Sequence, residues 1–185
     1  MTSPFSIRKA ADILLEGGVV AYPTEGVYGL GCLPGNSDAI TRILDIKSRS
    51  LSAGFILVSP NYALLEEWLS PSKKELSALQ QKTNYPVTWV VTAKPATPDW
   101  LTGGRATLAV RISTHPVVTA LCDATHTALV STSANRAGRP SARTALSVRK
   151  FLGPKIDYVV SGALGKASGA SEIRRAEDNQ VLRPA

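Results

Sequence analysis

Short apolar runs alternate with amphipathic segments along almost the whole sequence, and this alternation limits the fold more than any other feature. Apolar runs of strand length lie at residues 19–22, 55–58, 87–93, 108–112, 128–130 and 158–160. Segments with helical spacing or capping signals lie at residues 6–16, 38–47, 72–82, 114–121 and 144–152. Strands that alternate with helices in this way predict an α/β domain with a largely buried sheet.

Chain length, charge and cysteine content narrow the class of protein. The 185 residues predict a single domain over residues 1–185, since no internal repeat or linker divides them. The net charge of +7 favours anionic partners such as nucleotides or RNA, although a merely soluble basic protein has the same composition. Cys32 and Cys122 form neither a metal-binding pattern nor a disulfide framework, which favours a reducing cytoplasm.

Signals for a membrane or for export are not recognised in the sequence. No apolar run approaches the roughly 20 residues that a membrane span needs. Residues 1–5 lack the charged start and apolar core of a secretory signal. We therefore expect a cytoplasmic protein with no membrane partner.

The glycine-rich segment 23–31 follows the first predicted strand. It has glycines at positions 26, 29 and 31, and this pattern predicts a loop that leaves the strand. This is not the spacing of a dinucleotide-binding loop, and no P-loop lysine follows. The segment is therefore either a plain turn or a place where backbone amides approach an anion closely.

Lys47 occupies an apolar position of the second predicted helix. Ile40, Ile43 and Leu44 form the apolar stripe of this helix, and Lys47 is the next position on that stripe. A lysine placed there must extend to solvent or meet a buried anion. With Arg49 two residues later, it predicts either a phosphate-binding pair or two charges that complement the helix dipole.

Small hydroxyl and amide side chains follow the strand predicted at 128–130. Ser131 and Ser133 alternate, so they face the same side of an extended chain, and Asn135 and Ser141 come after them. These residues predict either the rim of an active site or ordinary turn and capping chemistry.

Thr107 and Arg111 show the same alternation on the strand near 108–112. Arg111 lies among apolar residues and needs an anionic or carbonyl partner, which is either a ligand or a buried structural carboxylate. No Ser-His-Asp, Cys-His or paired-carboxylate arrangement stands out near these segments. The remaining cations, hydroxyls and amides favour a site that stabilises anions during phosphoryl or nucleotidyl transfer.

Five separated motifs occur in one order along the chain: AYPTEGVYGLGC, KSR, LAVRISTHP, LVSTSANRAGRPSAR and SEIR. Together they resemble the TsaC/YrdC family of threonylcarbamoyl-AMP synthases, over residues from about 7 to 183. The Lys-x-Arg and Ser-x-Asn signatures of that family fall on Lys47/Arg49 and Ser133/Asn135. The short chain resembles the TsaC branch, which lacks the extra C-terminal domain of longer relatives.

The resemblance implies a fold and a reaction. The implied fold is a single YrdC-like α/β domain with a twisted mixed sheet, flanking helices and a basic concave surface. The implied reaction converts L-threonine, bicarbonate or CO2, and ATP with Mg²⁺ into threonylcarbamoyl-adenylate and pyrophosphate, with no prosthetic group and no metal held by protein ligands alone. Downstream proteins then transfer the threonylcarbamoyl group to adenosine 37 of tRNAs that read codons starting with A. The resemblance also leaves room for direct contact between the basic surface and RNA.

The resemblance also assigns roles residue by residue. Lys47 and Arg49 are the expected catalytic cations. Contacts with the nucleotide and its phosphates are expected from Lys47, Arg49, Thr107, Ser133, Asn135, Ser141, Arg143 and Arg183. Contacts with threonine are expected from Thr24, Arg111, Ser131 and Ser171.

The chain departs from the family pattern at several positions. Many relatives carry threonine at the position of Gly26, so we expect one hydroxyl contact with the substrate to be lost. Ser50 replaces a common proline, and residues 84–86 replace a usual Pro-Gly-Pro. Ala53 and Val58 stand where relatives often have Asn and His. These changes concern the threonine pocket more than the nucleotide site.

Two other functions fit parts of the sequence. A non-catalytic RNA-binding protein would suit the charge, but the chain has no RNP-type aromatic motif and no dense Lys/Arg tract. A carbamoyl-adenylate enzyme with another acceptor, as in hydrogenase-maturation proteins, normally belongs to a longer chain with acylphosphatase and zinc-finger modules. We recognise neither module in this sequence.

Overall fold

Nine β-strands form one mixed sheet in the computed structural model, which describes residues 2–136 and 138–184. In chain order the strands are β1 Val20–Pro23, β2 Tyr28–Gly31, β3 Ile56–Ser59, β4 Val87–Thr92, β5 Thr107–Ile112, β6 Leu129–Ser133, β7 Tyr158–Val159, β8 Glu172–Arg175 and β9 Val181–Arg183. Their order across the sheet is β7-β1-β2-β6-β3-β5-β4-β8-β9. The pairs β1/β7, β3/β5 and β4/β8 are parallel, and the other neighbours are antiparallel.

Six α-helices precede or connect the strands in the described part of the chain. They are α1 Pro4–Leu15, α2 Ser37–Lys47, α3 Lys73–Gln80, α4 Asp99–Thr102, α5 Pro116–Thr125 and α6 Ala145–Leu152. Polar side chains fix where several of them begin. Ser3 accepts from the Ser6 amide at the start of α1, and Ser72 and Glu75 form a reciprocal capping box at the start of α3.

Helices cover both faces of the sheet. Successive strand residues point to opposite faces, so neighbouring residues near β1 join different cores. Val20 and Tyr22 pack with residues of α1 and α5 on one face. Val19 and Ala21 pack on the other face, in a core that also contains residues of α2, α3 and α6. Strands β1 and β2 are fully buried as a result.

The predicted α/β class, with a mixed sheet between helices, is confirmed. The six predicted strands correspond to β1 and β3–β7, and the five predicted helices to α1–α3, α5 and α6. The prediction of a connection over the whole of 23–31 was wrong, because Tyr28–Gly31 forms β2. Only glycine fits at position 31 of that strand, because a Cβ there would lie 2.0 Å from the carbonyl oxygen of Val130. Helix α4 and strands β8 and β9 were not predicted.

The lengths of the helices can be compared with the length that a membrane span needs. The longest described helix, α1, has 12 residues, and within residues 2–136 and 138–184 no helix is long and apolar enough to cross a membrane.

Both cysteines are buried as free thiols. Burial raises the pKa of Cys32 and of Cys122 to about 12. Because the thiolate is the nucleophilic form, neither residue is suited to covalent catalysis at neutral pH.

Candidate functional site

A cavity of about 190 Å³ opens on the sheet face that α1 and α5 cover elsewhere. Val58 of β3 and Leu129 of β6 pack in the core beneath those helices. Ile56 and Ser131 lie two residues away on the same strands, therefore on the same face, and they line the cavity. The site thus occupies the part of this face beyond that apolar core.

Seven of the twelve predicted contact residues line this cavity. They are Thr24, Arg49, Arg111, Ser131, Ser133, Ser171 and Arg183. The same-side alternation predicted for Ser131 and Ser133 is confirmed, because β6 extends through both residues. Residues from widely separated parts of the chain therefore converge on one small space.

A second cavity, of about 640 Å³, adjoins the first. The two share wall residues that include Gly54, Phe55 and Ala109. Thr107, two residues before Ala109 on the same strand face, lines this second cavity. Small-molecule sites typically measure roughly 300–1,000 Å³, so the two cavities together suit a ligand of nucleotide size.

Lys47 is the last residue of α2 and is 6% exposed. Ser48 adopts the left-handed conformation and ends the helix there. The Lys47 Nζ atom donates to Ser133 O at 2.6 Å, to Asn135 O at 3.1 Å and to Asn135 Oδ1 at 2.8 Å. Burial, and then the charge of Arg49, lower the pKa of Lys47 to about 8. The sequence left open whether Lys47 extends to solvent or meets a buried anion. In the structure Lys47 is buried, and its ammonium binds neutral oxygens of the turn after β6.

The turn after β6 is held together by Asn135. Its Oδ1 atom accepts from Lys47 Nζ and, at 2.7 Å, from Ser133 Oγ. Its Nδ2 atom donates to Arg139 O at 2.5 Å. Both the oxygen and the nitrogen of the Asn135 side-chain amide therefore bind protein atoms. This is the turn-stabilising role that the sequence analysis gave as the alternative to an active-site role.

Lys47, Asn135, Ser141 and Arg143 do not line the cavity. Ser141 is half-buried. Arg143 is exposed, and its Nη1 atom donates to Ser168 O at 2.6 Å. Direct contacts between these four residues and a nucleotide stay predictions.

Arg49 extends from the end of α2 to the cavity. Its Nη1 atom donates to Thr132 Oγ1 at 3.2 Å, and its Nη2 atom donates to Gly54 O at 2.9 Å. The guanidinium lies 5.5 Å from the centre of the Phe55 ring. Burial lowers the pKa of Arg49, and the positive charge of Arg183 lowers it further. A nearby anion would relieve both effects.

Arg111 faces Glu25, a carboxylate that the sequence analysis did not single out. The Arg111 Nη2 and Glu25 Oε2 atoms are 3.5 Å apart, and the two side chains are 9% and 16% exposed. Ser113 Oγ donates to the other carboxylate oxygen, Glu25 Oε1. The partner that faces Arg111 on this side is therefore a carboxylate of the protein itself. The position of Glu25, two residues after a buried strand, was the signal in the sequence that could have marked it as a site residue.

Arg183 reaches the cavity from β9. Its Nη2 atom donates to Ser171 O at 2.8 Å, while Ser171 Oγ is 2.6 Å from Thr88 Oγ1. Burial lowers the pKa of Arg183, and the charge of Arg111 adds to this effect. Three guanidinium groups thus share a cavity in which Glu25 is the only acidic residue among the described lining residues. Such an arrangement favours anionic ligands.

The loop between β1 and β2 closes another side of the cavity. Thr24 Oγ1 donates to Val27 O at 2.7 Å. At Gly26 a Cβ would lie 1.9 Å from the carbonyl oxygen of Gly169, so the position has no room for a side chain. The Gly165 amide also donates to Thr24 O at 3.0 Å. Close backbone packing therefore fills the space that a side chain at position 26 would need.

Comparison with known proteins identifies the family. A family model for the Sua5, YciO and YrdC proteins, described as telomere recombination, matches residues 12–185. The chain belongs to the Sua5/YciO/YrdC family. The resemblance drawn from the five sequence motifs is thereby confirmed.

Curated members of the Sua5/YciO/YrdC family are similar over nearly their full lengths. A threonylcarbamoyl-AMP synthase of Nitrosococcus oceani is 49% identical over 178 residues, which cover 96% of this chain and 96% of the relative. One of Halorhodospira halophila is 45% identical over 183 residues, which cover 98% of this chain and 96% of that protein. These matches identify the chain as an enzyme of the nucleotidyltransferase type.

A solved member of the family has the same fold. The crystal structure of P. abyssi Sua5 complexed with L-threonine matches this chain with a TM-score of 0.90 and 29% identity. The match covers 98% of this chain and 54% of the P. abyssi chain, so this chain spans about half the length of that protein.

Proposed function

We propose that this enzyme is a threonylcarbamoyl-AMP synthase, which makes L-threonylcarbamoyladenylate and pyrophosphate from L-threonine, ATP and bicarbonate or CO2. The observation that carries the proposal is the convergence of Arg49, Arg111 and Arg183 with the hydroxyls of β6 on one cavity. ATP and the carbamate are both anions, so nearby cations are needed to offset their repulsion. The name shared by the curated relatives supports the same reaction.

The proposed reaction has two steps. The threonine ammonium first gives a proton to water. The free amine then adds to CO2 and gives a second proton to water, or it reacts with bicarbonate and releases water, to form a carbamate. A carbamate oxygen then bonds to the α-phosphorus of ATP while the bond to the β-phosphate oxygen breaks, and pyrophosphate leaves. No residue needs to form a covalent intermediate, so the enzyme contributes positioning and charge stabilisation.

Lys47 and Arg49 are the proposed catalytic cations. Arg49 supplies a planar guanidinium at the cavity. Lys47 would supply an ammonium group, which donates to Ser133 O in the structure and would have to turn toward the ligand. Thr107 would contact the nucleotide in the adjoining cavity. The remaining proposed nucleotide contacts are Ser133, Asn135, Ser141, Arg143 and Arg183.

Threonine is proposed to bind against Thr24, Arg111, Ser131 and Ser171. Arg111 is the natural partner for a carboxylate, since its guanidinium is a rigid cation with several donors. Ser131 is 5% exposed and lines the cavity, and its small side chain lets a ligand approach the strand closely. The crystal structure of P. abyssi Sua5 with L-threonine supports an amino-acid site in this fold.

Mg²⁺ is proposed to arrive with ATP. Among residues 2–136 and 138–184 no group of three or more His, Cys, Asp and Glu side chains is placed to hold a metal ion. The donors at the cavity are mostly cations and hydroxyls, so they fit the phosphates of a magnesium–ATP complex better than the ion itself. When bound, the ion would neutralise part of the phosphate charge.

The adenylate is proposed to serve tRNA modification in the cytoplasm. Downstream transfer proteins would move the threonylcarbamoyl group to position 37 of tRNAs that read ANN codons. The net charge of +7 is compatible with direct RNA contact. Such contact would be an addition to catalysis and not a replacement for it.

Incubation with ATP, Mg²⁺, bicarbonate and labelled L-threonine tests the proposed function. We expect pyrophosphate release and a labelled adenylate only when all of these are present. Valine in place of threonine is the matched control, because it has the same shape but lacks the hydroxyl. Pyrophosphate release that is independent of threonine would contradict the proposal.

ATP affinity is expected to fall as the pH rises above about 8. The pKa of Lys47 lies near 8, and only its protonated form attracts phosphate. The guanidinium groups of Arg49 and Arg183 keep their charge in this range. Calorimetric titration with ATP at pH values from about 7 to about 9.5, on both sides of the Lys47 pKa, measures the effect. The Lys47→Met variant should bind ATP more weakly and lose most of the pH dependence; an equal dependence in both proteins would contradict the assignment.

A further inference from the structure

Glu25 has a buried carboxylate oxygen that makes no hydrogen bond. Its Oε1 atom accepts from Ser113 Oγ, whereas Oε2 has no partner, and Arg111 Nε is also buried and unpartnered. The Arg111 Nη2 to Glu25 Oε2 distance of 3.5 Å exceeds the roughly 2.7–2.9 Å of a charge-assisted hydrogen bond. Two opposite charges are therefore held side by side without being fully paired.

Glu25 is fixed at the boundary between two cavities. It lines the small cavity together with Arg111, and it also lines a neighbouring cavity of about 970 Å³. Its carbonyl oxygen accepts from the Ala167 amide at 2.9 Å, and Ser113 holds its side chain. Both the backbone and the carboxylate of Glu25 are thus positioned before any ligand binds.

We infer that Glu25 binds the α-ammonium group of the amino-acid substrate while Arg111 binds its carboxylate. This inference rests on the proposed function and adds the residue that recognises the amine. An amino acid carries its ammonium and carboxylate on one carbon, so it can lie antiparallel to the Glu25–Arg111 pair and satisfy both charges. After carbamate formation, the same Glu25 oxygen accepts from the carbamate N–H.

The surrounding charges explain why such a residue is needed. Arg49, Arg111 and Arg183 would attract any small carboxylate or phosphate, with or without an amine. Glu25 is the one described lining residue whose negative charge favours an ammonium group over a neutral or anionic one. It therefore gives the site a preference for α-amino acids.

Glu25→Gln tests the inference, because glutamine keeps an acceptor for Ser113 and removes the charge. L-Threonine and 3-hydroxybutyrate, which is threonine without its amine, are the two probes for calorimetric titration. We expect the variant to lose about 10- to 100-fold in threonine affinity, the range for removing a partner of a charged hydrogen bond. Its affinity for 3-hydroxybutyrate and for ATP should stay within about twofold of the parent.

Glu172→Gln is the matched control. Glu172 pairs with Arg174, and its side chain is 14% exposed, against 16% for Glu25, but it does not line the cavity. This control should bind both probes like the parent protein. Unchanged threonine affinity in Glu25→Gln, or an equal loss for both probes, would overturn the inference in favour of a purely structural ion pair. Adenylate formation by the parent protein tests the proposed function separately, so the two failures are distinguishable.

Discussion

Replacing Lys47 with methionine is expected to slow adenylate formation by about 10²–10³-fold, the usual cost of removing one preorganised donor from a transition-state charge. The change also leaves the carbonyl oxygens of Ser133 and Asn135 and the Asn135 amide oxygen without their lysine donor. A buried group left unpaired costs about 1–3 kcal/mol, so the free energy of unfolding should fall as well. Pyrophosphate release and chemical denaturation measure the two effects.

Lys150→Met is the control for this substitution. Lys150 is exposed on α6, and its replacement should change neither the rate nor the stability. Lys47→Arg keeps the charge and tests whether the geometry of the ammonium matters. A folded Lys47→Met protein with a nearly parental rate would remove Lys47 from the catalytic cations.

Threonine in place of Gly26 is expected to destabilise the protein by about 1–3 kcal/mol, the usual cost of overpacking a filled position. A Cβ at this position would lie 1.9 Å from the Gly169 carbonyl oxygen and 2.9 Å from its carbonyl carbon. These are backbone atoms, so no side-chain rotation relieves the clash. The chain around Gly169, which lines the cavity, must move, and we expect threonine affinity to fall with stability.

Gly35→Thr is the matched control for the Gly26 substitution. A Cβ at Gly35 would meet no atom within 4 Å, so the same residue change should be tolerated there. Thermal unfolding and calorimetric titration with threonine compare the two variants. The prediction is wrong if Gly26→Thr has parental stability and binds threonine more tightly, because the backbone around Gly169 would then move without a loss of stability.

Local signals predicted much of the fold, because they act within a few residues. The capping box of Ser72 and Glu75 placed the start of α3, and the predicted helix at 144–152 matches α6 to within one residue. Strand β2 was missed because glycine is depleted in strands, and its glycines are needed for packing against Tyr22 and Val130. Strand β9 is exposed, and only its pairing with β8 makes it a strand.

The sequence predicted seven residues that line the cavity, but it did not predict the contacts among them. Helical periodicity placed Lys47 on the apolar stripe of α2, yet its acceptors lie 86 and 88 residues away along the chain. Glu25 was missed for the same reason, since its hydrogen-bond partner Ser113 is 88 residues away. Spacing along a chain reports which face a side chain occupies, whereas the identity of a distant partner depends on the order of strands in the sheet.

The full engagement of the Lys47 ammonium would affect which anions can bind next to it. A lysine has three N–H donors, and here three protein oxygens accept from them. A ligand oxygen that reaches this ammonium must displace one of those acceptors, so binding there is an exchange of partners. A small monovalent anion such as chloride would gain little from that exchange, whereas a polyphosphate bound as proposed would meet Lys47, Arg49 and Arg183 together. In the proposed complex, this arrangement would therefore favour ATP over the abundant simple anions that compete with it.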